Sequence, residues 1–141
     1  AIAATNNPAV NTAVAAACRE RGVLVNVATA PEASAFIVPS VVERGDLMIA
    51  VSTSGASPAL ARKVREELER TYGPEYGLCL EKMALLRRRL LAEVPSETAR
   101  RRIFQAAVDS DVLTLIGRGA MREADLRIEE IVRKVVSEEG G

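Results

Sequence analysis

Leu47-Met48-Ile49-Ala50-Val51-Ser52-Thr53-Ser54-Gly55-Ala56-Ser57-Pro58-Ala59-Leu60-Ala61 is the stretch on which the fold turns. An apolar run gives way to small and hydroxyl-bearing residues, and a proline then opens an amphipathic segment. The order is strand, turn, helix. Ser57 directly before Pro58 occupies the place of an N-cap, with proline at the first helical position. A turn of this kind presents backbone N–H groups and hydroxyls at the positive end of a helix dipole, a setting suited to phosphate or carboxylate groups. Ser52, Thr53, Ser54 and Ser57 are therefore candidate anion-binding residues, with Arg62 and Lys63 in the first helical turns as counter-charges.

Upstream of this stretch, Phe36-Ile37-Val38-Pro39-Ser40-Val41-Val42 is a second β-rich run, joined through Glu43-Arg44-Gly45-Asp46 as an antiparallel hairpin. Pro39 places that run at an edge or a bulge. Before it, Ala1 to Thr5 is strand-like. Asn7-Pro8 signals a helix with Val10, Val14, Ala17 and Arg21 on one face and Gly22 as its stop, and Val23-Leu24-Val25-Asn26-Val27 reads as a strand covered on both faces. Residues 1–27 are thus expected to form β-α-β, one unit of a doubly wound parallel sheet. Its ligands would gather at the carboxyl ends of its strands, at Thr5-Asn6-Asn7 and at Ala28-Thr29-Ala30-Pro31.

Downstream, the helix from Pro58 to about Tyr72 carries Ala61, Val64, Leu68 and Tyr72 on one face. Everything from about residue 75 is helical in pattern. Helices are expected near 76–92, near 97–108 with Ser96 as N-cap, near 111–117, and near 121–137 with Ala124, Ile128, Ile131, Val132 and Val135 inward. This half reads as a small helical bundle. Arg87-Arg88-Arg89 and Arg100-Arg101-Arg102 are either solvated helix faces balanced by glutamates or a site for an acidic ligand or partner.

Composition narrows the chemistry. Nineteen Lys plus Arg against nineteen Asp plus Glu in 141 residues leave no global field toward nucleic acid or an anionic membrane. With no histidine in the chain, a Ser-His-Asp or Cys-His centre and an imidazole metal ligand are excluded, and acid–base work falls to carboxylates or hydroxyls. Cys18 and Cys79 lack metal-ligand spacing and fit reduced thiols. No run approaches the length of about 20 apolar residues that crosses a bilayer, so a cytoplasmic protein is expected. A strand-like start without an initiator methionine suggests a fragment that begins inside a domain.

The order of these motifs resembles the precorrin-2 dehydrogenase and siroheme synthase family. The matching words are Ala3-Ala4-Thr5-Asn6-Asn7, Val25-Asn26-Val27 followed by Ala30-Pro31, Phe36-Ile37-Val38-Pro39, Arg44-Gly45-Asp46-Leu47, Ile49-Ala50-Val51-Ser52-Thr53 and Gly55-Ala56-Ser57-Pro58-Ala59-Leu60-Ala61-Arg62, over residues 1–72. The resemblance implies an α/β fold. In it, residues 1–35 are the C-terminal part of a Rossmann-like NAD-binding domain, 36–73 a dimerisation region of hairpin plus helix, and 74–141 a helical C-terminal module. It implies a homodimer that oxidises precorrin-2 to sirohydrochlorin with NAD, joined in bifunctional members by insertion of ferrous iron. Thr5 and Asn6 would then face the cofactor, while Ser52, Thr53, Ser54, Ser57 and Arg62 would face the carboxylates of the tetrapyrrole.

Two departures from the family bear on activity. Its glycine-rich phosphate turn has no counterpart here, since Gly117-Arg118-Gly119 follows a helical pattern and not a strand. The family's acid–base aspartate corresponds to Thr29, whose hydroxyl is too weak an acid for proton transfer or metal handling. Both point to a chain inactive by itself and to a parent that dehydrogenates without chelating iron. Two other readings of the residues compete: a phosphosugar-binding domain using Ser52-Thr53-Ser54-Gly55, and a non-catalytic dimerisation module.

Overall fold

The computed structural model describes residues 1–139. It is a mixed α/β structure in the order β1 (Ile2–Ala3), α1 (Pro8–Glu20), β2 (Asn26–Val27), β3 (Ser40–Arg44), β4 (Leu47–Val51), α2 (Pro58–Thr71), α3 (Glu75–Glu93), α4 (Glu97–Asp109), α5 (Val112–Gly117) and α6 (Met121–Glu139). Two compact units emerge, one of residues 1–41 and 50–67, the other of 42–49 and 68–141.

In the first unit, β1 and β2 pair in parallel, with Ile2 opposite Asn26 and Ala3 opposite Val27. A parallel pair needs a crossover, and α1 supplies it. Asn7 caps α1 as expected, its Oδ1 accepting from the Ala9 and Val10 amides at 3.0 and 3.4 Å. Gly22 ends the helix at φ +65°, in the left-handed region. The small core is Ala3, Ala15, Val25 and Val27, backed by Val14 and Cys18.

Two expectations fail here. The inward face of α1 is rotated by one residue, so that Val10 is 44% exposed while Asn11 is 1% exposed. Asn11 turns inward because its side-chain amide pairs with the Thr5 backbone. The strand expected over 23–27 is confined to Asn26–Val27, and Val23 and Leu24 stay exposed. A ladder extends only as far as its partner, and β1 is two residues long. On the other side of β2 the chain folds back through a single 3₁₀ turn, Pro31–Ala33, that the sequence did not announce. Ser34 Oγ accepts from the Val27 amide at 2.8 Å, and the Ala35 amide donates to the Val25 carbonyl at 2.7 Å.

The hairpin also differs from expectation. Its first strand starts at Ser40 rather than Phe36, because Pro39 has no N–H to give to a ladder. Arg44 belongs to that strand, and the turn shrinks to Gly45-Asp46, with Gly45 at φ +59°. Glycine alone at positive φ in the first central position fits a type II′ turn, whose twist suits a hairpin.

In the second unit, α3, α4, α5 and α6 enclose one core of Leu86, Leu90, Val94, Ala99, Ile103, Val112, Ile116, Ala124, Ile128, Val132 and Val135. Fully burying one such aliphatic side chain stabilises by about 1.5–3 kcal/mol. Ser96 caps α4, accepting from the Ala99 amide at 3.1 Å. Four of the five residues expected inward on α6 are buried, with Ile131 packed at the margin. Arg44 closes the C-terminal end of α2, donating from Nε to the Tyr72 carbonyl at 2.9 Å and from Nη2 to the Glu69 carbonyl at 3.1 Å.

Candidate functional site

The turn between β4 and α2 is built by its own hydroxyls. Thr53 Oγ1 accepts from the Ser57 amide at 3.1 Å and donates to the Ser57 carbonyl at 3.0 Å. Ser52 Oγ accepts from the Ser54 amide at 3.1 Å. Ser57 Oγ accepts from the Leu60 amide at 3.2 Å and so caps α2. The Ala56 amide closes the turn on the Thr53 carbonyl at 2.9 Å, with Ser54 at φ +53° and Gly55 at φ +83° between them. Hydroxyls in a row after a strand thus have local work as well as whatever ligand role they serve. Among the described residues, Ser54 is the non-glycine residue held in the left-handed region.

This turn walls a cleft. Asn26, Ala28, Pro31, Ser34, Ile37, Val38, Gly55 and Pro58 line a space of about 310 Å³ at the carboxyl end of β2. An adjoining space of about 120 Å³ is bounded by Ser40, Ser52, Thr53 and Ala61, with Ile37, Val38, Gly55 and Pro58 shared between the two. The walls are apolar with a few polar groups, the usual make-up of a small-ligand site. Asn26 holds one wall, its Nδ2 donating to the Phe36 carbonyl at 2.8 Å. Of the candidates named from sequence, Ser52 and Thr53 border this cleft, whereas Thr5, Asn6 and Thr29 are not among its walls. Arg62 is exposed and pairs with Glu66 at 2.8 Å. Thr29 is exposed, one residue before the half-buried Ala30.

Thr5 and Asn6 lie in the loop from β1 to α1, at the carboxyl end of β1. Asn11, which sequence reasoning missed, organises this loop from the buried face of α1. Its signal was a polar residue in register with the inward positions Ala15 and Cys18. Ser34 and Asn26 carried no comparable signal, since their partners lie across a fold-back that only the three-dimensional structure reveals.

Within the arginine triplets, Arg89, Arg100, Arg101 and Arg102 make ion pairs or caps. Arg89 pairs with Glu129, Arg102 with Glu138, and Arg101 with Glu97 at 3.2 Å. The Arg89–Glu129 hydrogen bond raises the guanidinium's affinity for its proton further. Arg100 closes the end of α3, donating to the Val94 and Pro95 carbonyls at 2.7 and 2.8 Å. Among the described residues no three of His, Cys, Asp and Glu cluster as metal ligands. Nor is any described helix long and apolar enough to cross a membrane.

The segments that build this region match known families. Residues 44–71 match the family described as sirohaem biosynthesis protein central, and residues 1–40 match an NAD(P)-binding family. The siroheme synthase of Citrobacter koseri is 37% identical over 139 residues, 98% of this chain and 30% of that protein. The chain is similar in sequence to the siroheme synthases over part of their length. The siroheme synthase of Methylococcus capsulatus is 37% identical over 124 residues, covering 88% of this chain and 26% of its own length. That of Salmonella arizonae is 40% identical over 113 residues, covering 80% and 25%. The chain therefore spans between 25% and 30% of the length of these siroheme synthases. A solved structure of SirC, precorrin-2 dehydrogenase, shares the fold with a TM-score of 0.72 at 22% identity, over 96% of this chain and 62% of that one. The hairpin turn, β4, the hydroxyl turn and α2 all fall inside the 44–71 match to sirohaem biosynthesis proteins.

Proposed function

We propose that this chain serves siroheme biosynthesis, in the NAD-dependent oxidation of precorrin-2 to sirohydrochlorin. The observation that carries this reading is the conjunction, in one chain, of a parallel β-α-β inside the NAD(P)-binding match with a hydroxyl-built turn inside the sirohaem-biosynthesis match. In this reading residues 1–35 are the C-terminal part of a Rossmann-like domain, 36–73 a dimerisation region and 74–141 a helical module. The working form is a cytoplasmic homodimer.

The residues fit a dinucleotide over part of its length. Asn6 is exposed at the carboxyl end of a parallel strand, where such folds receive cofactor. A glycine-rich turn for the pyrophosphate is not in the sequence. The cofactor, when bound, supplies the hydride acceptor. The chain's own part is placement: Thr5 and Asn6 hold the cofactor side. Ser52, Thr53, Ser54 and Ser57 offer hydroxyls and amides to substrate carboxylates, with Arg62 as counter-charge after leaving Glu66. At the position of Thr29 a hydroxyl stands where proton transfer or iron insertion would need a carboxylate.

The test is to mix the full-length protein with precorrin-2 and NAD and to follow the sirohydrochlorin absorbance. Formation that requires both is expected; absence of turnover together with saturable sugar-phosphate binding overturns the reading. Adding ferrous iron to the same assay addresses chelation, where Thr29→Asp is expected to raise iron insertion.

A further inference from the structure

Asn11 is the polar side chain buried among the described residues, at 1% exposure. Burying an amide costs several kcal/mol unless its hydrogen bonds are made, and here they are made to one residue. Asn11 Oδ1 accepts from the Thr5 amide at 3.0 Å and from Thr5 Oγ1 at 2.8 Å, while Asn11 Nδ2 donates to the Thr5 carbonyl at 3.0 Å. The side-chain amide thus does for Thr5 what a neighbouring strand would do, pairing both its N–H and its C=O just where β1 has ended. Thr5 Oγ1 in turn accepts from the Asn7 amide at 3.2 Å, and Asn7 is the cap of α1. Thr5 and Asn7 are both tied down. Asn6 stands between them, exposed, with no hydrogen bond within the described residues.

We infer that Asn11 is a positioning residue for the dinucleotide: through Thr5 it fixes the loop in which Asn6 presents its amide to the ligand's hydroxyl or carboxamide groups. Thr5 then belongs to the scaffold and Asn6 makes the contact, which divides a pair that the sequence treats alike. The inference rests on the dinucleotide reading above. Its physical basis is that an exposed asparagine on a free loop samples many geometries, whereas one between two clamped neighbours is held for binding.

The experiment is titration of the full-length protein with NADH, read by nicotinamide fluorescence, for the unsubstituted form, Asn6→Ala, Asn11→Ala and the double variant. Asn6→Ala is expected to weaken binding about fivefold to tenfold, the scale of one hydrogen bond, without changing the unfolding temperature. Asn11→Ala is expected to weaken it at least as much. In the double variant, Asn6→Ala should cost nothing more, because the contact has already lost its geometry. Additive losses overturn the inference, as does an Asn6→Ala affinity equal to that of the unsubstituted chain. If Asn11→Ala does not fold, Thr5→Val, which removes the hydroxyl bonds to Asn7 and Asn11 at nearly constant shape, is expected to weaken NADH binding, with Thr5→Ser restoring it. Equal affinity for Thr5→Val and Thr5→Ser is the overturning result. Failure of the unsubstituted full-length protein to bind NADH at all defeats the dinucleotide reading itself, and so is told apart from failure of Asn11.

Discussion

Gly77 lies so close to Arg44 that a Cβ on residue 77 would stand 2.9 Å from the Arg44 carbonyl oxygen and 3.0 Å from its carbon. The backbone of α3 thereby touches the hairpin turn, with Gly45 on the other side of the contact. Glycine inside a helix normally costs about 1 kcal/mol relative to alanine, so Gly77→Ala would stabilise if helix propensity were the only question. Space decides the other way. Overpacking against backbone costs about 1–3 kcal/mol, and Gly77→Ala is expected to lower stability in urea unfolding.

Arg44 itself is expected to resist conservative replacement. Its planar guanidinium donates at once to the carbonyls of Tyr72 and Glu69, the end of α2. A lysine ammonium is a point donor and cannot span both. Arg44→Lys should therefore lose much of the about 1.5–3 kcal/mol typical of hydrogen bonds to a charged group, measured by the same unfolding assay.

Ser57 offers a test in which charge and cap agree. Ser57→Ala removes the oxygen that accepts from the Leu60 amide and should destabilise by about 1 kcal/mol. Ser57→Asp keeps an acceptor and adds a negative charge at the helix N-terminus, so thermal unfolding near that of the unsubstituted protein is expected. The same charge should weaken binding of a polycarboxylate at the turn. Stability and affinity then move separately.

Burial pushes the Cys79 thiol above its ordinary 9.0, with Lys82 opposing the shift. A raised pKa means that above pH 9 the unfolded chain has released a proton that the folded chain retains. Stability is therefore expected to fall as pH rises beyond that value, and Cys79→Ala should flatten that part of the profile in pH-dependent urea unfolding. Alkylation of Cys79 by iodoacetamide should be slower than that of a free cysteine.

Local signals in the sequence were a sound guide wherever the physics is local. Asn7-Pro8 and Ser96 cap their helices because capping depends on a few adjacent atoms. The inward stripe of α6 followed from helical periodicity alone. What periodicity missed needed a partner remote in the fold. Val23 and Leu24 look like buried strand, yet β1 is too short to pair with them. Asn11 reads as a surface residue until Thr5 is seen opposite it. Of the candidate site, the hydroxyl turn was legible as a turn with a capped helix. The cleft beside it was not, because residues 34–38 reach it by folding back past β2.

Ser54 makes the hydroxyl turn a store of backbone strain. An L-residue at φ +53° carries a conformational penalty of about 1–2 kcal/mol that glycine escapes. Ser54→Gly or Ser54→Asn is accordingly expected to raise the unfolding temperature, and a stability screen would favour either. Holding a hydroxyl at this position therefore trades thermal endurance for side-chain chemistry, as strained functional loops commonly do.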